Sequence, residues 1–587
     1  MKAEEIINKP VERIVKKIDF NGEVVDCYYR KARKPMTKEE IMAQEGPATN
    51  TFAFCPPWKP ETVYPEPGIV SHHDVGVKMR DGVTIYCDVY LPENLTGKIP
   101  AIISWSFFGK RPGDGQDEWK IMGVPAGTVS LMAKFESADP GYWCHQGYAV
   151  INVDPRGIGH SEGDHHLFGT QDGRDGYDLV EWLATQDWCS GKIALFGNSG
   201  VAMTQWRIAA EQPPHLTCIA PWEGTGDLYR ESAYEGGIPA YAFMEGVVGF
   251  TTGDNYIDDM VYMAVKYPFM NAYWKDKIPQ FEKIRIPVYA TACWNHFHLR
   301  GSFEGFRKIR TTRKWMRAHR EFEWPDTYGT KGLEDLKRFL DRYLKGIRNG
   351  WELTPKYRIE VQDAFEYDFQ TDRPEKEFPI ARTEYRKLHL DAATKSMSYQ
   401  APAKVSSVSH DGATGTTNFD VAFTEDTEIT GYLKLRLNVE CKGHDDMDLF
   451  IAIKKLDEKG NVLPVSVLGE PHPGAWGKMR VSHRALDPKL STDYQPVQAH
   501  LSEEKLKPGE IVPVDIEIWP TSRLWHKGQQ LRVEITGDYR REGWFERLEW
   551  DQDNHGEHVF HTGGQYESFL QIPVIPPRYV AGDYVYR

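Results

Sequence analysis

The segment Ile193-Ala194-Leu195-Phe196-Gly197-Asn198-Ser199-Gly200-Val201-Ala202 constrains this chain more than any other. An apolar run short enough for a buried strand stops at Gly197, and a helical pattern, Ala202–Gln212, begins just beyond it. Only a tight turn fits between them, and small residues on both sides of Ser199 let the backbone close there. A side chain at the tip of such a strand–turn–helix unit projects above the sheet edge. The Gly200 N–H and the positive end of the next helix then lie where they stabilise a developing oxyanion. The match to G-x-S-x-G is incomplete, because Val201 holds the last position and the next small residue is Ala202.

The same rhythm extends on both sides. Val75–Met79, Thr84–Tyr90, Ala101–Ser104, Ala149–Val153, Ile193–Phe196, Cys218–Ala220, Pro287–Thr291 and Lys314–Ala318 read as strands. Tyr177–Thr185, Ala202–Gln212 and Leu333–Leu344 read as helices. Strands alternating with helices predict a mostly parallel sheet covered on both faces. This unit spans residues 66–350. It is preceded by a polar extension, 1–65, whose Pro-rich end reads as a strap rather than a domain. Residues from 224 to about 280 interrupt the rhythm with Tyr, Met and Phe among glycines, and read as a lid that shapes a pocket. Beyond Gly350 helical periodicity stops. Tyr357–Val361, Gly431–Val439, Leu449–Lys454, Ile511–Trp519, Gln530–Ile535 and Phe569–Ile575 predict an all-β sandwich or jelly roll over 351–587.

A chain of 587 residues needs more than one core. Its formal net charge of −14 argues against a nucleic acid partner. No apolar run reaches the roughly 18 residues that cross a bilayer, so no membrane partner is expected. Met1–Lys17 is charged and lacks a signal-peptide core, from which a cytoplasmic location is expected. None of the 8 Cys forms a CxxC pair, and most read as small core hydrophobes. His555, His558 and His561 read as a polar turn rather than a metal site. No metal or other cofactor is expected, and self-association into a homo-oligomer is left open.

Longer stretches carry a resemblance. Val153-Asp154-Pro155-Arg156-Gly157-Ile158-Gly159-His160-Ser161-Glu162-Gly163, Glu181-Trp182-Leu183, Gln186-Asp187-Trp188, Gln205-Trp206, Asp227-Leu228-Tyr229-Arg230 and Phe339-Leu340-Asp341-Arg342-Tyr343-Leu344-Lys345-Gly346 are among them. With Ser482-His483-Arg484 and Leu506-Lys507-Pro508-Gly509-Glu510, they resemble the X-Pro dipeptidyl-peptidase and cocaine esterase (CocE/NonD) family over roughly residues 70–575. The resemblance implies an α/β-hydrolase fold with a helical cap and a C-terminal jelly roll. It also implies cleavage of esters or amides by Ser, His and Asp, with a Tyr hydroxyl in the oxyanion hole. By position Ser199 matches the nucleophile and Gly200 the backbone donor. The family Tyr is replaced by Phe108 in Trp105-Ser106-Phe107-Phe108-Gly109-Lys110. The family Asp is missing from Cys293-Trp294-Asn295-His296. A strict count puts Glu323 where the family His stands.

A Ser hydroxyl needs a base within hydrogen-bond reach. His319 follows a late apolar strand and is the preferred base, with His298 and His296 as alternatives after the preceding strand. The carboxylate that orients the base is expected to be Glu223, at the end of the strand after the nucleophile, with Glu323 and Asp326 as rivals. The expected activity is hydrolysis of a small-molecule ester or amide through an acyl-Ser199 intermediate. The alternatives are acyl transfer from the same intermediate and a non-catalytic binding role on a hydrolase scaffold.

Overall fold

In the computed structural model, which describes residues 2–34, 66–111, 119, 122–539 and 550–577, the alternating pattern folds into one twisted sheet. Its strands are β1 (Ile69–Lys78), β2 (Thr84–Pro92), β3 (Ile99–Trp105), β4 (Ala149–Asp154), β5 (Cys189–Asn198), β6 (Leu216–Trp222), β7 (Val288–Cys293), β8 (Lys314–His319) and β9 (Tyr357–Ala364). The spatial order is β1-β2-β4-β3-β5-β6-β7-β8-β9. The first two pairings are antiparallel and the rest parallel, so the carboxyl ends of β5, β6, β7 and β8 share one edge. That edge carries Ser199, Glu223, His298 and His319, all of which the sequence singled out.

Helices cover both faces. On one face α1 (Thr170–Ala184) packs against α2 (Ser199–Ala210). The approach is close enough that a Cβ at Gly176 would lie 2.3 Å from Ile208 Cγ1. On the other face Leu336, Phe339 and Leu340 of a C-terminal helix (Thr330–Leu344) meet Trp222, Tyr289 and Trp315 of the sheet. The insertion after β6 is a cap of short helices, Tyr241–Gly249, Met260–Lys266 and Ala272–Asp276. The N-terminal segment forms a hairpin, Arg13–Phe20 and Glu23–Lys31, whose second strand pairs with Tyr256–Asp258 of the cap. It therefore holds the cap from outside. The Pro-rich end of the extension and Cys55 lie outside the described residues.

The C-terminal part is a β-sandwich. Thr416–Ala422, Gln530–Thr536, Asp448–Leu456 and Trp476–Arg480 pair in that order as one sheet. Glu384–Asp391, Phe569–Val574, Thr427–Lys442 and Val512–Trp525 form the other. Leu433, Leu435 and Leu437 from one sheet and Leu449, Ile451 and Ile453 from the other alternate inward into a single core. This is the two-residue period expected of strands with one buried face.

The sandwich is joined to the sheet and the cap by buried charge. Arg300, beside the His298 loop, donates to Glu231 of the cap at 3.0 Å and to Glu517 of the sandwich at 3.0 Å. Removing one partner of a buried ion pair leaves charge without compensation. Arg300→Ala is expected to lower unfolding free energy by about 3–5 kcal/mol, read from the urea midpoint. A loss below about 1 kcal/mol, the range of an exposed pair, would contradict a linking role.

Candidate active site

The β5–α2 junction is strained as the sequence suggests. Ser199 has φ +53°, a left-handed value that β-carbon sterics disfavour. Gly197, at φ +152°, has no room for a side chain. A Cβ there would lie 2.3 Å from Val201 Cγ1 and 2.7 Å from the Glu136 carbonyl oxygen. The Asn198 N–H donates to that same carbonyl at 3.2 Å, which closes the turn from outside. Ser199 is buried but reachable, at 8% exposure.

The imidazole beside Ser199 is that of His298, not His319. Ser199 Oγ lies 3.0 Å from His298 Nε2, and His298 Nδ1 hydrogen-bonds to the Thr225 hydroxyl. For Nε2 to accept the Ser199 proton, Nδ1 must carry the hydrogen and donate it to Thr225 Oγ1. His298 caps the start of a helix, Leu299–Lys308, which fixes its loop. Thr225 lies three residues past β6. A Cβ at the intervening Gly224 would be 2.9 Å from Trp206 Nε1, so the loop comes this close to α2 only with glycine there. Burial, with His296 adding to it, pushes His298 well below the ordinary histidine range and keeps it a neutral acceptor.

The other expected residues form two clusters around this pair. The His298 backbone N–H donates to His296 Nδ1 at 2.9 Å, which leaves His296 Nε2 facing Glu323 Oε1 at 3.1 Å. Glu323 Oε2 accepts from Asn198 Nδ2 at 2.8 Å. Burial lowers His296 to about 3 and pushes Glu323 up, with the Glu223 charge adding to the rise.

The second cluster contains the residues preferred from sequence. His319 Nε2 lies 3.2 Å from Glu223 Oε1 and 3.4 Å from Asp326 Oδ2, an ion-pair contact without hydrogen-bond alignment. Asp326 in turn takes a bidentate pair from Arg317, at 2.7 and 2.6 Å. Burial alone would lower His319, but Asp326 and Glu223 outweigh it and raise it. Glu223 Oε2 accepts the Cys293 N–H at 2.7 Å. Thus Glu223 orients His319 and the β7 end, and no hydrogen bond or ion pair joins it to His298. The expected Ser199–His319–Glu223 arrangement is corrected accordingly. His319 ends β8, three strands from β5, whereas His298 sits on a loop that turns back over the sheet edge.

Two residues at Ser199 carried no signal that sequence reasoning used. One is Thr225. The other is Glu136, whose Oε2 accepts the Gly200 N–H at 3.2 Å and whose Oε1 accepts from Trp324 Nε1 at 3.4 Å. Glu136 belongs to no regular element and its neighbours in sequence form no motif. Phe108 is buried, with its ring 4.0 Å from that of Phe107 and 5.0 Å from that of Phe135. Phe107 also presses on Gly200, where a Cβ would fall 2.1 Å from its ring. Aromatic rings therefore press on the turn that follows Ser199. Far from it, His561 pairs with Glu440 at 2.9 Å, and His558 lies against His410.

Comparison with known proteins identifies the family. Residues 81–259 match the X-Pro dipeptidyl-peptidase (S15 family) profile, and residues 349–571 match the X-Pro dipeptidyl-peptidase C-terminal non-catalytic domain. A CocE/NonD family hydrolase from Staphylococcus aureus is 33% identical. It superposes with a TM-score of 0.81 over 86% of this chain and 94% of that one. Cocaine esterase from Rhodococcus is 23% identical over 378 residues, 54% of this chain and 62% of that one. A Mycobacterium bovis chain named as a serine esterase is 31% identical over 187 residues, 31% of this chain and 29% of its own length. The chain thus spans under a third of that relative and under two thirds of the cocaine esterase. The fold is an α/β-hydrolase with a C-terminal β-rich domain of the kind found in this group.

Two outcomes follow from the geometry. Thr225→Val leaves the buried His298 N–H without an acceptor, at about 1–3 kcal/mol, or about 10- to 100-fold in kcat/KM. An unchanged kcat/KM would show that Thr225 does not orient the ring. The raised His319 stabilises the fold fully below the unfolded histidine value of about 6.5, and that contribution fades as pH rises through its folded value. The stability gap between wild type and His319→Gln should therefore narrow with rising pH, measured by chemical unfolding at several pH values. A gap that widens would contradict the pairing with Glu223 and Asp326.

Proposed function

The chain belongs to the CocE/NonD family of serine hydrolases, and from that premise we propose that it cleaves small esters with an apolar acyl group through an acyl-enzyme on Ser199, with His298 as the base. The observation that carries this reading is the 3.0 Å contact between Ser199 Oγ and His298 Nε2 at a left-handed turn. In the first step Ser199 Oγ bonds to the substrate carbonyl carbon and its proton passes to His298 Nε2. The carbonyl π pair moves onto oxygen, where the Gly200 N–H faces it. Collapse of the tetrahedral adduct breaks the bond to the leaving group, which takes the proton from His298. Water then repeats the sequence and releases the acid.

Esters are favoured over amides by the group that orients the base. Thr225 is neutral, so no carboxylate directly compensates the imidazolium that forms on His298. Without that compensation the imidazolium formed in the transition state is less stabilised than beside a carboxylate. An ester, with its better leaving group, asks less of the imidazolium than an amide does. The apolar acyl group is supported by Phe107, which presses on Gly200 and packs on Phe108, whose ring in turn meets Phe135 and Phe250.

The test is covalent labelling by a fluorophosphonate, read as an intact-mass increase, together with ester turnover. Ser199→Ala should lose both, and His298→Ala should lower both by several orders of magnitude. His319→Gln should keep most labelling in the folded fraction. Labelling that survives in His298→Ala but vanishes in His319→Gln would refute the assignment of the base. Because His298 is held below the ordinary histidine range, the acid-side fall in kcat/KM should lie below about pH 6.5. A fall centred above that value would contradict a buried neutral base.

A further inference from the structure

One buried carboxyl at the nucleophile has no part in the steps above. Glu136 is 2% exposed and is held at φ +61°, a conformation that costs a non-glycine residue about 1–3 kcal/mol. The strain aims its side chain at the β5–α2 turn. Its Oε2 lies 3.2 Å from the Gly200 nitrogen, and the Ser199 hydroxyl is within interaction range of the same carboxyl. The Gly200 N–H is the donor toward which a substrate carbonyl oxygen turns, so the carboxyl occupies the neighbourhood of the future oxyanion. The Tyr hydroxyl that the resemblance implies is not supplied there. Phe108 stands where the resemblance implies a Tyr, and its ring is locked among Phe107, Phe135 and Phe250. Among the described residues no Lys, Arg or His lies at ion-pair distance from Glu136 to hold it as an anion.

From this juxtaposition we infer that Glu136 is a catalytic residue that acts in its acid form, its carboxyl O–H donating a hydrogen bond to the substrate oxyanion in place of the absent Tyr hydroxyl. The inference rests on the acyl-enzyme reading of Ser199 and His298. The incoming carbonyl oxygen takes the Gly200 N–H from Oε2, and the carboxyl turns so that its O–H points at that oxygen. As Ser199 Oγ bonds to carbon, the proton of Ser199 moves to His298 and the π pair moves to oxygen. Glu136 keeps its proton throughout and shares it with the oxyanion. When the adduct collapses, the pair returns to the carbonyl, the leaving group departs with the proton of His298, and Glu136 is unchanged. Burial pushes this carboxyl well above the usual carboxylate range and the nearby Glu323 adds to the rise; the hydrogen bonds from Ser199, Trp324 and Gly200 oppose it, and burial outweighs them in favour of the acid form. A buried carboxylic acid that stays protonated so that it can donate is a known physical solution to this need.

The experiment compares Glu136→Gln with Glu136→Ala on an apolar ester, with Ser199→Ala alongside and thermal unfolding as a check on folding. The amide of Gln keeps an N–H donor at the same reach, whereas Ala keeps none. Glu136→Ala should lower kcat about 100- to 1,000-fold with little change in KM, while Glu136→Gln stays within about tenfold of wild type. Wild type should lose kcat as alkaline pH ionises Glu136, and Glu136→Gln should lack that limb. Three results would overturn the inference: Glu136→Ala as fast as or faster than wild type, a folded Glu136→Gln as slow as Glu136→Ala, or an alkaline limb that persists in Glu136→Gln. Turnover in Ser199→Ala would overturn the acyl-enzyme reading itself and the Glu136 role with it.

Discussion

The left-handed backbone at Ser199 is the constraint on which the site depends. A non-glycine residue at φ +53° is held there only if its surroundings over-determine it. Here they do so from three sides. β5 is locked between β3 and β6, and every residue of α2 is buried. The Glu136 carbonyl takes the Asn198 N–H just before the turn. Gly197 and Gly200 supply the two places where no side chain fits, against Val201 and against Phe107. Relaxing the turn would swing Ser199 Oγ away from His298 and the Gly200 N–H away from the oxyanion position. Its strain is therefore inseparable from the chemistry.

That turn sits in an unusually dense set of buried ionisable groups, which fall into separate compensating sets. Arg317 neutralises Asp326, and His319 lies between Asp326 and Glu223. Glu323 meets His296 and Asn198. Without the pairing of Arg317, Asp326 and His319, those buried charges would each cost several kcal/mol in desolvation. The arrangement also keeps charge off His298, whose two ring nitrogens meet the hydroxyls of Ser199 and Thr225. The sandwich contributes to the same end from a distance. Arg300 follows His298 by two residues and is fixed by Glu231 and Glu517, so the loop that carries the base is tied to both the cap and the β domain. In this way the C-terminal domain helps to position the loop that carries His298.

The alternation of buried strands and helices was legible because each core strand of the sheet is a short apolar run, as in Ile193–Phe196 or Ala149–Val153. The sandwich was legible for the complementary reason: Leu433, Leu435 and Leu437 show the two-residue period openly. Helix α1 was read only from Tyr177, although it starts at Thr170. Its first half contains Gly173 and Gly176, which are poor helix formers kept for close contact with α2, and they hide the periodicity. The turn at Ser199 was legible because it demands small residues at fixed offsets. The imidazole beside it was not, since three histidines, His296, His298 and His319, follow two neighbouring strands, and choosing among them requires the path of a loop. Thr225 and Glu136 reach Ser199 from segments far apart in sequence, and no local pattern records such contacts.

The departures from the family pattern become consistent once the loops are compared rather than the residues. The resemblance implies an acid after β7 and a His after β8. This chain has His296 and His298 after β7 and Glu323 after β8, so the two residue types have exchanged loops. Glu323 still points into the site, but it meets His296 at 3.1 Å, and His296 receives the backbone N–H of His298. The carboxylate therefore acts on the base loop through a second imidazole instead of on the base ring directly. Thr225 fills the place next to His298 Nδ1 that the exchange left open. A hydroxyl can accept the Nδ1–H, but unlike a carboxylate it can also donate, and it does not offset the positive charge that appears on proton transfer. Transition-state stabilisation must then come more heavily from the oxyanion side. This is the side on which the family Tyr is also absent and on which Glu136 approaches Gly200. The two substitutions are thus linked physically, because a weakly supported imidazolium raises the demand on whatever group faces the oxyanion.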